Sequence, residues 1–164
     1  MTDSLDRRFR GESVGRALDV VGERWTLLIL REAFFGVKRY GQFVRNLSIP
    51  RPTLSARLKS LVEFGLLQRV PYAEDREEYR LTPAGLELFP AIVVLMKWGD
   101  RYVPDPDGPP VVLEHSVCGQ VGDAYVACRC CGEEITAHNV SARSGDSSTQ
   151  KGGRSPKTGS GSRV

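Results

Sequence analysis

Apolar residues recur at helical spacing through the first two-thirds of the chain, and glycine or proline separates one periodic segment from the next. Ser13 and Gly22 flank the first segment as a side-chain N-cap and a left-handed glycine stop. The second segment, 25–35, is apolar on most of its circumference, which predicts a position at the centre of the core. From this pattern we expect helices over residues 14–21, 25–35, 40–46 and 52–64.

The helix predicted over 52–64 has one apolar and one polar face. Leu54, Leu58 and Leu61 recur at helical spacing and therefore share a face. Pro52 suits the first turn, because its ring presets φ and no amide hydrogen bond is lost there. The other side carries Thr53, Ser55, Ala56, Arg57, Lys59 and Ser60. The pattern therefore predicts a helix that packs on one side and leaves a polar side for a partner.

Two short extended segments, 66–72 and 78–81, are joined by a charged connection, which predicts a β-hairpin with a polar tip. Thr82 then caps a final helix that runs to about residue 101 and is kinked by Pro90 in its interior. This last helix has more apolar residues than one small core can cover. A subunit interface would cover them, so we expect a homodimer.

The charge is unevenly distributed, although the net charge is only +3. Between Gly36 and Val62 the chain carries six basic residues and no acidic one. Such a single-sign stretch in a folded region suits a polyanionic partner. An ordinary solvated basic face is the alternative interpretation.

The order of helices, hairpin and final helix is that of a winged helix-turn-helix, a mostly α fold with a small β-hairpin wing (α+β). We expect it to bind double-stranded DNA, with the polar face of helix 52–64 in the major groove. The predicted base contacts come from Arg51, Thr53, Ser55, Ala56 and Arg57. The predicted backbone contacts come from Lys38, Arg39, Lys59, Arg76 and Arg80.

Three stretches within residues 13–101 resemble the HxlR family of winged-helix regulators, which are relatives of the MarR type. They read ALDVVGERWTLLIL from Ala17, LSARLKSLVEFGLL from Leu54 and EYRLTPAG from Glu78. The resemblance implies that 52–64 is the recognition helix, that 67–81 is the wing, and that the terminal helices form a dimer. We accordingly expect a transcription regulator, a repressor by preference, that binds a pseudo-palindromic operator.

One position departs from that family. Several members sense oxidants or electrophiles through a cysteine just before the first helix, and this chain has Ser13 there. A serine hydroxyl forms neither a thiolate nor a disulfide, so this sensing chemistry is in doubt here.

The four cysteines lie instead near the C-terminus. His115 and Cys118 form one ligand pair, Cys128 and Cys131 form a second pair, and each pair is followed by glycine. Thiolate and imidazole pairs of this spacing suit tetrahedral zinc, and we expect a structural zinc site with Cys130 as the spare cysteine. The alternatives are a redox-active cysteine cluster, a segment without metal, or a sensor or protein-interaction module built on the same cluster.

Five regions follow from these patterns. They are a flexible arm (1–12), a DNA-binding and dimerisation domain (13–102), a linker (103–110), a zinc-ribbon-like segment (111–138) and a disordered tail (139–164). No apolar run is long enough for a membrane helix and no secretory signal is visible, so we expect a cytoplasmic protein without a membrane partner.

No enzyme is expected. The sequence GESVG from Gly11 matches G-x-S-x-G, but no buried strand precedes it, and both histidines lie near the cysteines. A small-molecule effector is compatible with the sequence, but no residue pattern indicates one.

Overall fold

The computed structural model describes residues 13–122 and 124–141. They belong to two compact units that divide after Gly108, inside the stretch predicted as a linker. The predicted arm, 1–12, and all but the first three residues of the predicted tail, 139–164, lie outside the described residues. No helix in the described part of the chain is long and apolar enough to cross a membrane.

The first unit begins with four helices close to the predicted ones. They are α1 (Ser13–Val21), α2 (Arg24–Phe34), α3 (Tyr40–Leu47) and α4 (Arg51–Glu63). Two details of α1 were predicted wrongly. Ser13 is the first helical residue rather than the cap before it. Gly22 is not left-handed; it is needed because a Cβ there would crowd the carbonyl oxygen of Leu18.

The core forms where α2, α3 and α4 meet. Ile29 and Leu30 of α2 are fully buried, as the apolar circumference of that helix predicts. Phe43 supplies the one fully buried side chain of α3. From α4 the leucine stripe enters the same cluster, with Leu54, Leu58 and Leu61 all buried. The buried stripe fixes which side of α4 remains exposed.

The hairpin is longer and its turn tighter than predicted. Strands β1 (Leu67–Ala73) and β2 (Arg76–Leu81) pair antiparallel, with Leu67 opposite Leu81. Only Glu74 and Asp75 separate the strands, and Asp75 has a left-handed φ of 54°. Most of the charged residues predicted at the tip are therefore part of the two strands. Backbone hydrogen bonds continue through this part of the hairpin although its side chains are exposed on both faces.

The final helix is two helices. Thr82 accepts a hydrogen bond from the backbone N–H of Gly85 at 3.1 Å and caps α5 (Pro83–Leu86), as predicted. The chain then starts α6 (Phe89–Tyr102), and Pro90 lies in its first turn. The predicted kink inside one long helix is wrong. Proline begins a helix here, where its missing N–H has no partner to lose.

The second unit has little regular structure. Strands β3 (Glu114–His115) and β4 (Gln120–Val121) form one small hairpin, and an isolated bridge joins Ala127 to Glu134. The winged helix-turn-helix fold of the first unit is confirmed. The metal-binding character of the second unit stays a prediction.

Candidate nucleic-acid interface

Helix α4 has one face buried in the core and another exposed to solvent. Arg51, Ser55 and Lys59 are exposed and recur at intervals of one helical turn, on a face that flanks the buried leucines. Ala56 is also exposed, and Thr53 is half-buried. The exposed row combines two cations with small polar or apolar groups, a mixture suited to the floor of a DNA groove.

A phenolic hydroxyl connects α3 to this exposed row. The Tyr40 hydroxyl donates to the carbonyl oxygen of Arg51 at 3.0 Å and lies 3.1 Å from Oγ of Ser55. Because a phenol has one proton, Ser55 is then the donor in the second contact. Both lone pairs of the Ser55 hydroxyl are left to accept a hydrogen bond from a base.

A buried carboxylate fixes α3 against α2. Glu32 of α2 accepts a hydrogen bond from Asn46 of α3 at 2.7 Å and pairs with Arg31 at 2.8 Å. A buried carboxylate requires such partners, since burying the charge alone is costly. Helix α3 is therefore held near both ends, by the Tyr40 contact to α4 at its start and by the Asn46 contact to α2 near its end.

The loop between α2 and α3 presents the first two predicted phosphate contacts, since Lys38 and Arg39 are both exposed. The wing is attached to this loop, because the backbone N–H of Tyr79 donates to the carbonyl of Lys38 at 2.8 Å. The guanidinium of Arg39 also lies over the ring of Tyr72, 4.6 Å from its centroid. The loop and the wing are thus in direct contact, through one backbone hydrogen bond and one cation–π contact.

Arg57 is positioned differently from the other predicted base contacts. Its side chain is only 33% exposed, and Nη2 lies 3.6 Å from a carboxylate oxygen of Glu23. Its Nε is buried without a hydrogen-bond partner. To reach a base, the guanidinium has to leave Glu23. Sequence reasoning missed Glu23 because the partner lies more than thirty residues away along the chain.

Two arginines of the wing are in different states. Arg76 is exposed at the turn and borders an open groove of about 610 Å³ that Tyr40 and Tyr79 also line. Arg80 donates from Nε to the buried carboxylate of Glu78 at 2.6 Å. Arg80 is therefore partly neutralised, whereas Arg76 is the better placed of the two for the predicted phosphate contact.

The cysteine segment contains two separate turns. In the first, Nδ1 of His115 lies 3.4 Å from Sγ of Cys118. In the second, backbone N–H groups of Cys130 and then Cys131 lower the pKa of the Cys128 thiol. Within residues 13–122 and 124–141, no three His, Cys, Asp or Glu side chains come together in a way that could hold a metal ion.

A comparison with known families decides the identity of the first unit. The family model for HxlR-like helix-turn-helix proteins matches residues 20–107, more than half of the chain. The chain belongs to this family. Helices α1 to α6 and the wing thus form the DNA-binding unit of an HxlR-like regulator.

Relatives in bacteria match over a longer stretch. An uncharacterised HTH-type transcriptional regulator of Mycobacterium tuberculosis (strain CDC 1551 / Oshkosh) is 66% identical, across 86% of this chain and 90% of that protein. An uncharacterised HTH-type regulator of Synechocystis sp. (strain ATCC 27184 / PCC 6803 / Kazusa) is 33% identical, across 55% of this chain and 69% of that protein.

Among solved structures, the chain is similar to the crystal structure of PA1607, described as a candidate transcription factor. The identity is 36% and the TM-score 0.73, over 83% of this chain and 98% of that one. This HxlR-like protein is accordingly a transcription regulator with a helix-turn-helix DNA-binding unit, and it is not an enzyme.

Proposed function

We propose that this HxlR-like regulator binds a pseudo-palindromic operator as a homodimer and represses transcription from it. The observation that carries the proposal is the division of α4, in which the leucine stripe is buried while Arg51, Ser55 and Lys59 face solvent. A helix held in this way can enter a major groove about 12 Å wide without unfolding its own core.

The proposed base contacts lie on α4 and on its first turn. Arg51 is an exposed cation, Ser55 can accept a hydrogen bond, Ala56 can contact a thymine methyl group, and Thr53 is half-buried beside them. Lys59 is an exposed cation on the same helix and contacts the DNA backbone. Arg57 joins them once it leaves Glu23. Lys38 and Arg39 of the loop and Arg76 of the wing bind the phosphates that flank the groove. Arg80 contributes less, because it is paired with Glu78.

Exposed apolar side chains support the dimer. Helix α6 exposes Leu95, Trp98 and Tyr102, each more than half exposed, and the last two rings lie 5.5 Å apart. Helix α1 has no buried residue and exposes Val14 and Leu18. A second copy that covers these faces would remove them from water and would place two recognition helices about a two-fold axis.

Repression is the proposed mode because a dimer bound over an operator excludes other proteins from that DNA without any further contact. We place this activity in the cytoplasm, where bacterial DNA lies.

Selection of fragments from the host genome by the full chain tests the proposal. We expect enrichment of a few sequences that contain two related half-sites. Their affinity should fall steeply with salt, by roughly 10³-fold or more between about 50 and 200 mM if six or more phosphates are contacted. If no sequence is enriched, or if the chain binds a protein partner with an affinity that does not change with salt, the alternative of a protein-interaction module is favoured.

A further inference from the structure

The second unit contains two turns of the same construction. One runs from His115 to Gly119 and the other from Cys128 to Gly132. In each, the glycine N–H donates to the carbonyl of the first residue at 2.8 Å. Both glycines have a positive φ, 67° and 80°. The first and fourth residues of each turn are the four metal-ligand types singled out in the sequence.

Within each turn the two side chains already stand at ligand spacing. In a tetrahedral zinc site with Zn–S of about 2.3 Å and Zn–N of about 2.0 to 2.1 Å, adjacent nitrogen and sulfur ligands lie about 3.6 Å apart. The distance between Nδ1 of His115 and Sγ of Cys118 is 3.4 Å. Cys128 and Cys131 are likewise within hydrogen-bonding reach of each other.

The backbone of the second turn encloses the sulfur of Cys128. The N–H groups of Cys130 and Cys131 both point at this sulfur. The carbonyl of Cys128 accepts from Gly132 at the same time. Hydrogen bonds to the sulfur and to the carbonyl of Cys128 thus fix the backbone of the second turn.

The unit has little else to hold it together. No residue after Gly108 belongs to the described buried apolar core, and Val117, Val121 and Tyr125 are all exposed. A segment of this size seldom folds on so small a core without a disulfide or a metal. All four cysteines are free thiols in the structure.

From these observations we propose that one Zn²⁺ joins the two turns, bound tetrahedrally by His115, Cys118, Cys128 and Cys131. Each turn supplies two of the four ligands. Because no three His, Cys, Asp or Glu side chains of the described residues stand close enough to hold a metal ion, binding requires the two turns to approach each other. Four protein ligands leave no open position for water, so the site is structural. The proposal is independent of the DNA-binding one.

The metal content of the full chain tests this site without any variant. The reduced protein, stripped by a chelator and titrated with Co²⁺ alone, should develop the intense visible absorption of tetrahedral cobalt with thiolate ligands, and the titration should end at one Co²⁺ per chain. Zn²⁺ added afterwards should abolish this absorption. A weak octahedral spectrum, or a reduced chain that binds neither metal, would overturn the proposal.

A pair of cysteine variants tests the ligand assignment. Cys131→Ser should lose bound zinc, whereas Cys130→Ser, the matched control one residue away, should retain one equivalent. His115→Cys should also retain zinc, because thiolate replaces imidazole in the same geometry. Loss of zinc from Cys130→Ser together with its retention in Cys131→Ser would contradict the assignment. Protein purified under reducing conditions that contains intramolecular disulfides and no zinc would contradict the assignment as well.

Discussion

The hydroxyl of Tyr40 lies 3.1 Å from Oγ of Ser55 and connects the helix before the turn to the exposed face of the recognition helix. The same hydroxyl donates to the carbonyl of Arg51, so one proton sets the position of the first turn of α4. It also commits the Ser55 proton to the protein, which leaves this side chain as an acceptor toward DNA.

Tyr40→Phe should therefore weaken operator binding more than it weakens the fold. The loss of about 1 kcal/mol for one hydrogen bond corresponds to roughly five-fold lower affinity, because the first turn of α4 is no longer held in place. Tyr125→Phe removes a hydroxyl from the second unit and serves as the control. Equal affinities for the wild type and Tyr40→Phe would show that the contact does not position the helix.

Arg57 and Arg76 should affect binding in different ways. Arg57→Ala should cost about 1 to 3 kcal/mol at the operator and relax the preference at one base pair of each half-site. Arg76→Ala should weaken all DNA sequences alike and reduce the slope of log affinity against log salt by about 1 per wing. Quantitative gel shifts on operator and scrambled DNA, each at several salt concentrations, measure both effects.

Glu23→Gln separates two roles for Arg57. If Arg57 reads a base, removal of its 3.6 Å partner frees the guanidinium and tightens operator binding. If the ion pair only positions α4, Glu23→Gln and Arg57→Ala should weaken binding together, and the assignment of Arg57 as a base contact would be wrong.

Trp98 should hold the two subunits together. Trp98→Arg places a charge in the proposed interface and should weaken self-association by about 2 kcal/mol or more, as at a buried aromatic contact. Sedimentation velocity at several concentrations measures this change. Tyr125→Arg is the control, because Tyr125 is similarly exposed but lies in the second unit. An unchanged dimer in Trp98→Arg would place the interface elsewhere.

Gly85 should tolerate no side chain. A Cβ there would overlap the carbonyl oxygen of Leu66, which already accepts from the backbone N–H of Thr82 at 3.1 Å. Gly85→Ala should thus lower the free energy of unfolding by about 1 to 3 kcal/mol. Gly41→Ala, where only ordinary contact with Arg45 results, should change it by less than about 1 kcal/mol, in the stabilising direction.

Urea unfolding followed by tryptophan fluorescence suits this comparison, because both tryptophans, Trp25 and Trp98, lie in the first unit. The signal then reports the winged helix-turn-helix alone. Equal midpoints for Gly85→Ala and the wild type would mean that the α5 turn can move away from Leu66 at no cost.

The helices and the core could be predicted because their signal is local. The spacing of Leu54, Leu58 and Leu61 determines which side of α4 is buried, and glycine and proline mark the helix ends. The same reasoning failed for the wing tip and for Pro90. Both depend on where backbone hydrogen bonds continue, and side-chain polarity does not record this.

The candidate site was predicted less completely than the fold. Exposed residues such as Arg51 and Arg76 follow from the helix pattern and the hairpin. The pairs that tune the site do not, because Tyr40 with Ser55, and Glu23 with Arg57, are brought together only by the packing of separate helices. In the sequence Tyr40 contributes merely to the apolar spacing of α3.

Methylation interference on an operator selected from the host genome tests most directly whether α4 reads the major groove. Methyl groups at guanine N7 project into that groove. They should block binding at two clusters related by a dyad and spaced by about one helical turn, on the order of 34 to 36 Å. Interference that is confined to the minor groove, or that is absent from both half-sites, would contradict the role assigned to the exposed face of α4.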